Sequence, residues 1–307
     1  MPLLSVQGAT KRYDKVLAVD HVSFEAKPGR ILGILGPNGA GKTSTIRMIA
    51  YITVPDQGQI TLDGKPVGPW SQERMGYLPE ERGLYRKMKV GEQLVYFGEL
   101  KGLSRRDSTA KVKHWLNRFD ASDWYGRKTQ ELSKGMQQKV QFIATVLHDP
   151  ELLILDEPFG GLDPVNADLL TEVIMELKSD GRTILFASHR MEQVEQLCDD
   201  LCMISGGKKV LDGPLREIKR QFGKDTVQID FEGGDAFLDD LVRDGLVSVS
   251  LRSHSHAEMR LLNGTSPRVV LERALASVDD ISRFELVEPP LREIFVQVAG
   301  QTQEVSA

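Results

Sequence analysis

The glycine-rich segment Gly36–Thr43 constrains the fold more than any other part of this sequence. It follows a short apolar stretch, Ile31–Leu35, and overlaps the start of a stretch with helical periodicity, Lys42–Ile52. Its glycines let the backbone turn N–H groups inward, and the first turn of a helix adds partial positive charge. A strand, loop and helix in this order predict an α/β fold with a phosphate site at the loop. A glycine-rich turn with an accidental lysine would leave both flanking elements unexplained.

Two side chains of the loop extend this prediction to a nucleotide with Mg²⁺. The Lys42 ammonium group would reach the outer phosphates, and the Thr43 hydroxyl group can ligate Mg²⁺. We assign nucleotide contacts to the loop and the helix start, namely Gly36, Pro37, Asn38, Gly39, Ala40, Gly41, Lys42, Thr43 and Thr45.

A second motif places two carboxylates at the end of an apolar strand. The predicted strand Leu152–Asp156 consists of an apolar stretch that ends in Asp156, and Glu157 follows it. Because α/β sheets bind ligands at the carboxyl ends of their strands, Asp156 is predicted to hold Mg²⁺, usually through water. Glu157 would face the attacking water as a general base. An apolar stretch followed by two acidic residues is often only a strand that leaves the protein core. Here the stretch comes after a phosphate loop in the chain, which makes the assignment of roles to the two acids more specific.

Short apolar stretches alternate with helical patterns as far as about Arg220, which indicates an α/β sheet. Further elements are predicted as a hairpin with strand Ile60–Leu62 and turn Asp63–Gly64, helices over Val90–Asp120 and Asp168–Lys178, and strands Thr183–Ser188, Leu201–Ile204 and Lys209–Leu211. One strand containing Val6 and another containing Val22 and Phe24 suggest that antiparallel strands are added to the α/β fold.

The pattern changes after about Arg220. Alternation of apolar and polar residues around Ile229 and Val249, with a short helix over Val269–Ala276, predicts a small α+β domain over 221–300. We expect the last residues, 301–307, to form a disordered tail.

Composition excludes several classes of protein. Hydrophobic residues make up 40% of the 307 residues, charged residues 27%, and the formal net charge is −5, which is ordinary for a folded chain and unlike a nucleic-acid binder. The sequence shows neither a membrane-spanning apolar stretch nor a signal peptide, and its two cysteines fit a reducing compartment. We therefore expect a cytoplasmic protein with no nucleic-acid partner.

Further motifs identify a family. The segment Leu132–Met136, which reads LSKGM, resembles the LSGGQ signature of ABC ATPases and lies just before the Asp156 strand. Gly161–Asp163 resembles that family's D-loop, Ser188 and His189 its switch histidine, and Tyr13 the aromatic residue that stacks on adenine. The motifs follow the family's order over residues 1 to about 220. The resemblance implies a P-loop NTPase ABC cassette with a mixed core sheet, an antiparallel β subdomain and an α-helical subdomain at about 85–140, followed by the small α+β domain.

The resemblance also implies a mechanism. Two cassettes pack head to tail as a homodimer, so that ATP on the loop of one meets the signature of the other. Ser133 and the Gly135 backbone would contact the γ-phosphate across this interface, and His189 would bond the γ-phosphate and orient the reacting groups. ATP then joins the two copies, and its hydrolysis lets them separate.

The sequence departs from the family pattern at three positions. Glu80 stands where most members have a glutamine, and since an ionised carboxylate only accepts hydrogen bonds, we predict that it faces Mg²⁺, through water. Lys134 replaces the middle glycine of the signature, where it either adds positive charge near phosphate or is simply solvated. Met136 replaces the signature's glutamine.

Two further segments, Gly76–Tyr85 and Pro290–Phe295, resemble a subgroup similar to sodium- or drug-efflux cassettes that pair with ABC-2-type permeases. This implies an export motor on the inner face of the cell membrane, driven by ATP hydrolysis. The helical segment after Glu80 would dock on the permease through an apolar face formed by Leu94, Val95, Tyr96, Phe97 and Leu100, although an internal core face explains most of these residues equally well.

Other functions fit the sequence less well. An importer subunit remains an alternative, because only the resemblance favours export. A soluble ABC ATPase acting on DNA or ribosomes lacks support, because the chain has one cassette, no coiled-coil insertion and no basic patch. A kinase or GTPase would leave the Leu132–Met136 signature unexplained.

Overall fold

The computed structural model describes residues 2–81, 83–222 and 225–304, of which 299–304 by backbone alone. The chain divides into two compact units, Met1–Leu215 and Arg216–Ala307. Arg82, within the segment that resembles the efflux subgroup, lies outside the described residues. Among the described residues, no helix combines the length and apolarity needed to cross a bilayer.

Strands and helices alternate through the first unit. Its strands are β1 (Leu4–Tyr13), β2 (Val16–Ala26), β3 (Ile31–Leu35), β4 (Gln57–Leu62), β5 (Lys65–Pro66), β6 (Met75–Leu78), β7 (Leu152–Asp156), β8 (Thr183–Ser188), β9 (Asp200–Ser205) and β10 (Lys208–Pro214). Its helices are α1 (Lys42–Ile49), α2 (Pro69–Gln72), α3 (Val90–Leu100), α4 (Arg105–Arg118), α5 (Lys134–Val146), α6 (Pro164–Ser179) and α7 (Met191–Leu197), and α8 (Leu215–Gln221) begins at the division.

A six-stranded sheet forms the centre of the first unit, in the order β10-β9-β3-β8-β7-β6. All neighbouring strands are parallel except β10, which runs antiparallel to β9. Every residue of β3, β7 and β8 is buried, as expected for strands covered on both faces. The carboxyl ends of these three strands therefore meet at one edge, directly before the glycine-rich loop, Glu157 and His189.

A second sheet, β2-β1-β4-β5, is entirely antiparallel. The predicted hairpin joins β4 to β5, and both turn residues, Asp63 and Gly64, have positive φ angles of 49° and 74°, as the twist of a two-residue hairpin requires. The mixed sheet, the antiparallel sheet and the helices α3–α5 confirm the predicted fold class.

Several boundaries and elements differ from the sequence-based prediction. The helix predicted to Ile52 ends at Ile49, since Tyr51 has a positive φ angle of 55°. The stretch Val90–Asp120 forms two helices, α3 and α4, with a break at Gly102, whose φ angle is 86°. Helix α6 begins earlier than predicted because the Asp163 carboxylate accepts a hydrogen bond from Asn166 N at 3.0 Å and caps it.

The second unit contains β11 (Thr226–Glu232), α9 (Ala236–Arg243), β12 (Val247–Arg252), β13 (His256–Leu261), α10 (Pro267–Leu275), β14 (Asp280–Val287) and α11 (Leu291–Glu304). Its antiparallel sheet has the order β12-β13-β11-β14, which with α9 and α10 is the split β-α-β topology. The core includes Phe231, Phe237 and Met259. Residues 301–304, expected in a disordered tail, continue α11, and 305–307 lie outside the described residues.

Gly76 allows the edge strand β6 to approach helix α5 closely, and we predict that Gly76→Ala destabilises the fold. A Cβ atom at position 76 would lie 2.4 Å from Thr145 O and 3.0 Å from Leu153 Cδ2. We expect the free energy of unfolding, measured with urea, to fall by about 1–3 kcal/mol. Gly126→Ala is the control, because nothing lies within 4 Å of its added Cβ. Equal stability of the two variants would contradict the close approach.

Candidate functional site

The loop between β3 and α1 has a backbone that only glycines can form. Gly39 and Gly41 have φ angles of 77° and 103°. A Cβ atom at Gly41 would lie 2.3 Å from Ala18 O, and one at Gly36 would lie 2.1 Å from Ile204 O. The loop is therefore packed against β2 and β9, and it presents its backbone at the start of α1.

The Lys42 ammonium group is held inside the loop. Its Nζ atom donates to Gly36 O at 2.7 Å and to Pro37 O at 3.0 Å. Burial lowers the pKa of Lys42, while the carboxylates of Glu157 and Asp156 oppose this shift. A cation that is buried and faced by acids in this way is positioned to pair with the oxygens of a bound phosphate.

Asp156 lies at the carboxyl end of β7, opposite Thr43. Thr43 Oγ1 donates to Asp156 Oδ2 at a long distance of 3.5 Å. Burial raises the pKa of Asp156 to about 6, with the negative charges of Glu80 and Glu157 adding to the shift. A carboxylate and a hydroxyl group are hard oxygen ligands of the kind that Mg²⁺ prefers, so the residues present fit this ion. In the part of the chain that the structure describes, no three His, Cys, Asp or Glu side chains are grouped as metal ligands, so water would complete the coordination.

Glu157 is fixed in place by the end of strand β8. Its Oε1 atom accepts a hydrogen bond from His189 N at 2.7 Å and lies 2.6 Å from His189 Nδ1, while Oε2 accepts one from Ser188 Oγ at 3.2 Å. Its φ angle of 51° is unusual for a residue other than glycine, and Glu157 N donates to Ala187 O at 2.9 Å. Such backbone strain persists only where neighbouring contacts hold it, and it is frequent at functional sites.

One cavity of about 490 Å³ brings most of the predicted site residues together. Its lining comprises Ala18, Asn38, Gly39, Ala40, Gly41, Lys42, Thr43, Ser44, Glu80, Asp156, Glu157 and His189. The sequence analysis did not predict Ala18 or Ser44. Ser44 directly follows the recognised loop, whereas Ala18 enters through the packing of β2 and carries no sequence signal.

Four other predicted nucleotide contacts do not line this cavity. Gly36 lies against Ile204, and the carbonyl group of Pro37 accepts a hydrogen bond from Lys42. Thr45 is fully buried, and its hydroxyl group donates to Gly41 O at 2.9 Å, within the helix. Its side chain therefore braces the loop instead of facing the cavity.

Tyr13 ends β1 with 40% of its surface exposed, and Lys11 Nζ lies 5.8 Å from the centre of its ring.

The signature residues lie at the start of helix α5 and also outside this cavity. Ser133 is exposed and is the N-cap of α5, where its hydroxyl group accepts a hydrogen bond from Met136 N at 3.2 Å. Gly135 is half-buried, and a Cβ atom there would lie 3.1 Å from Gly161 O. Lys134 is exposed. The helix start is thus open to a ligand or a second molecule.

We predict that Glu80→Gln lowers the pKa of Asp156. Burial is the main reason that this pKa is raised to about 6, and the substitution removes a negative charge that adds to the rise. Carboxyl ¹³C NMR titration of protein labelled at aspartate, without nucleotide, measures this shift. The control is Glu81→Gln, which removes the charge of an exposed neighbouring residue and should leave Asp156 unchanged. An unchanged pKa of Asp156 in Glu80→Gln would place Glu80 away from this carboxylate.

Comparison with known families supports the motif assignments. Residues 19–160 match the model of the ABC transporter family. Residues 213–299 match the family of the C-terminal domain of DrrA1-3-like ATP-binding proteins.

Individual proteins resemble this chain over nearly its whole length. An uncharacterized ABC transporter ATP-binding protein of Bacillus subtilis, YhaQ, is 44% identical over 302 residues, covering 98% of this chain and 100% of that protein. The linearmycin resistance ATP-binding protein LnrL of the same organism is 31% identical, covering 98% and 99%. A solved structure of an ATP-binding subunit of an ABC transporter superposes with a TM-score of 0.68 at 32% identity, covering 72% of this chain and 93% of that one. This chain belongs to the family of ABC transporter ATP-binding proteins.

Proposed function

We propose that this protein is the ATP-hydrolysing subunit of an ABC exporter and that two copies of it close around ATP. The observation that carries this proposal is the separation of two predicted phosphate contacts within one chain. Lys42 lines the cavity with Asp156 and Glu157, whereas Ser133 lies exposed at the start of α5 and does not line it. A second copy would supply the missing serine, so the site is complete only in a dimer.

The residues of the loop would hold the triphosphate of ATP. Backbone N–H groups at the start of α1 would point their dipoles at the phosphates, and Lys42 would exchange its loop carbonyl partners for phosphate oxygens. Thr43 and Asp156 would hold Mg²⁺, with Glu80 contributing through water. Mg²⁺, when bound, neutralises charge on the phosphates. Tyr13 would stack on the adenine.

Glu157 would act as the general base. Its carboxylate accepts a proton from the water that attacks the terminal phosphate. The hydrogen bonds from His189 N and Ser188 Oγ to its two oxygens orient it before the substrate arrives. His189, which lines the same cavity, would also bond the γ-phosphate and thereby align water, base and phosphate.

The dimer would place the start of α5 of one copy on the ATP of the other. An N-cap serine and the N–H groups of the first helical turn attract an anion, although the N–H group of Met136 already donates to Ser133 Oγ. Ser133 is already exposed in the single chain, so it can contact the γ-phosphate without a rearrangement of its own helix. Lys134, exposed beside it, would add positive charge at the same contact.

A membrane permease of the ABC-2 type would dock beside helix α3. An apolar groove of about 390 Å³ includes Ile52, Phe97 and Leu100 in its lining, with Ile52 and Leu100 exposed by 55% and 63%. Tyr96 is also exposed, by 41%. Of the five residues considered for this face, Leu94 and Val95 are instead buried in the core, so only the remaining three are available for docking.

Similarity to a named family and a named relative, rather than the geometry of the site, favours export. The C-terminal residues match a family named after DrrA-like proteins, and the relative LnrL is named for linearmycin resistance. We infer transport of a small molecule or ion out of the cell, with the cassette on the inner face of the membrane.

We predict that Glu157→Gln forms a dimer that persists with ATP and Mg²⁺, because the variant keeps the shape of the site and loses its base. Light scattering after gel filtration should give twice the chain mass of 34.2 kDa with ATP and a single mass with ADP. The double variant Glu157→Gln/Lys42→Ala is the matched control and should stay monomeric. A monomer at saturating ATP and Mg²⁺ would refute the shared site.

We predict that Lys42→Ala weakens ATP binding by about 30-fold or more, as expected from losing a buried charge-assisted contact of roughly 2 kcal/mol. A fluorescence titration with a labelled ATP analogue measures the affinity. Lys65→Ala, at an exposed lysine of β5, controls for loss of overall positive charge. Unchanged affinity in Lys42→Ala would remove the loop from the nucleotide site.

A further inference from the structure

The free edge of the central sheet is covered by side chains of helix α5 instead of by another strand. Among the described residues, strand β6 is last in the sheet and pairs with β7 alone. Its outward carbonyl groups, and those of the segment that follows it, alternate along the chain at residues 75, 77, 79 and 81. Unpaired backbone carbonyl groups that are buried cost free energy, so this edge needs donors.

Side chains along one face of α5, and one in the turn that follows it, approach these carbonyl groups, and we call Gln141, Thr145 and His148 the α5 ladder. They stand at positions i, i+4 and i+7, which share a helix face. His148 Nε2 bonds Met75 O at 3.0 Å, and the same oxygen accepts a hydrogen bond from Lys101 Nζ at 3.2 Å. Thr145 Oγ1 donates to Gln141 O at 2.9 Å and lies at the longer distance of 3.5 Å from Tyr77 O. The next contacts of the ladder are made by Gln141.

The side chain of Gln141 bonds the backbone on both sides of Glu80. Its Nε2 atom donates to Pro79 O at 3.2 Å and to Glu81 O at 3.1 Å. Since both partners are carbonyl oxygens, the orientation of the amide group is settled, and the nitrogen must face this segment. Glu80 therefore sits between two backbone groups that are both tied to α5.

Burial of the Gln141 amide group costs folding free energy. Gln141 is only 5% exposed, and its Oε1 atom is buried without a hydrogen-bond partner among the described residues. An apolar side chain of similar size, such as methionine, would fill this position without leaving an acceptor unpaired. The two hydrogen bonds that its amide group donates are what glutamine contributes at this position and methionine could not.

The ladder also connects two sites that the proposed function uses. Gln141, Thr145 and His148 line the apolar groove beside α3, while Glu80 lines the nucleotide cavity. Helix α5, which carries Gln141 and Thr145, has Ser133 as its N-cap. The same rigid element thus touches the groove, the segment of Glu80 and the exposed signature.

We propose that Gln141 is a positioning residue that holds Glu80 at the nucleotide cavity by fixing the backbone on both sides of it. It does not contact the nucleotide itself. Its role toward Mg²⁺ rests on the proposed function, whereas its hold on the backbone does not.

Hydrogen–deuterium exchange of the nucleotide-free protein tests the hold directly. In Gln141→Met, exchange in peptides covering 77–85 should be about tenfold faster, as expected from losing two hydrogen bonds. Gln141→Glu keeps the shape but loses both donors at neutral pH and should behave in the same way. Thr145→Val, one turn along the same face, should leave 79–81 unchanged. Unchanged exchange in both Gln141 variants would overturn the proposal.

A double-mutant cycle with Glu80→Gln tests whether the hold acts through Glu80. Gln141→Met should raise the Mg²⁺ concentration needed for half-maximal binding of a labelled ATP analogue by about tenfold, while binding without Mg²⁺ stays the same. In the Glu80→Gln background, Gln141→Met should add nothing further. An equal effect in both backgrounds would overturn the positioning role. If the unsubstituted protein binds the analogue without any Mg²⁺ dependence, the proposed function fails while the exchange result still decides the role of Gln141.

Discussion

The candidate site depends on one electrostatic constraint, which is that, among the described residues, the buried lysine of the glycine-rich loop faces three carboxylates. Lys42 lies close enough to Glu157, Asp156 and Glu80 for each to affect its pKa. A phosphate chain brought to these carboxylates alone would be repelled, so Lys42, the loop dipoles and a divalent cation must act together. Burial, with the negative charges of Glu80 and Glu157 adding to its effect, raises the pKa of Asp156 to about 6. The same excess of negative charge makes the cavity suitable for Mg²⁺.

Strands and hydrogen bonds within one chain hold these charged side chains in place. Parallel strands β3, β7 and β8 end at one edge, and the strained Glu157 is held there by hydrogen bonds from the end of β8. The α5 ladder adds a tie from the opposite side, to the segment containing Glu80. The start of α5, by contrast, is exposed and lies outside the cavity that Lys42 lines. Under the proposed function, a second copy would bring this helix start to the phosphates.

The local chemistry of the sequence was enough to predict much of the central sheet and the family. The buried strands Leu152–Asp156 and Thr183–Ser188 have the predicted bounds, because continuous apolar stretches flanked by polar turns leave little ambiguity. The family was also identified correctly from motifs in order. The cavity brings together Asp156, Glu157 and His189 with the loop, although they lie far apart in sequence, because the strand ends converge.

Other features could not be predicted, because they depend on tertiary packing. Strand β6 has only four residues, one of them glycine, and it exists because β7 pairs with it. Thr45 was expected to contact nucleotide, yet its hydroxyl group bonds within α1, a choice that periodicity does not reveal. The hold of Gln141 on the backbone around Glu80 is equally invisible in sequence, since it joins residues 60 positions apart.

Mixing two inactive variants would test the central claim, a nucleotide site shared between copies, most directly. Lys42→Ala removes the loop contact, and Ser133→Arg blocks the signature, so a homodimer of either has no intact site. In a dimer formed from one copy of each, one site joins an intact Lys42 to an intact Ser133. ATP hydrolysis measured on the mixture should therefore exceed the average of the two variants measured separately. A mixture that never exceeds that average would show that each chain carries its own complete site, or none, and would contradict the account.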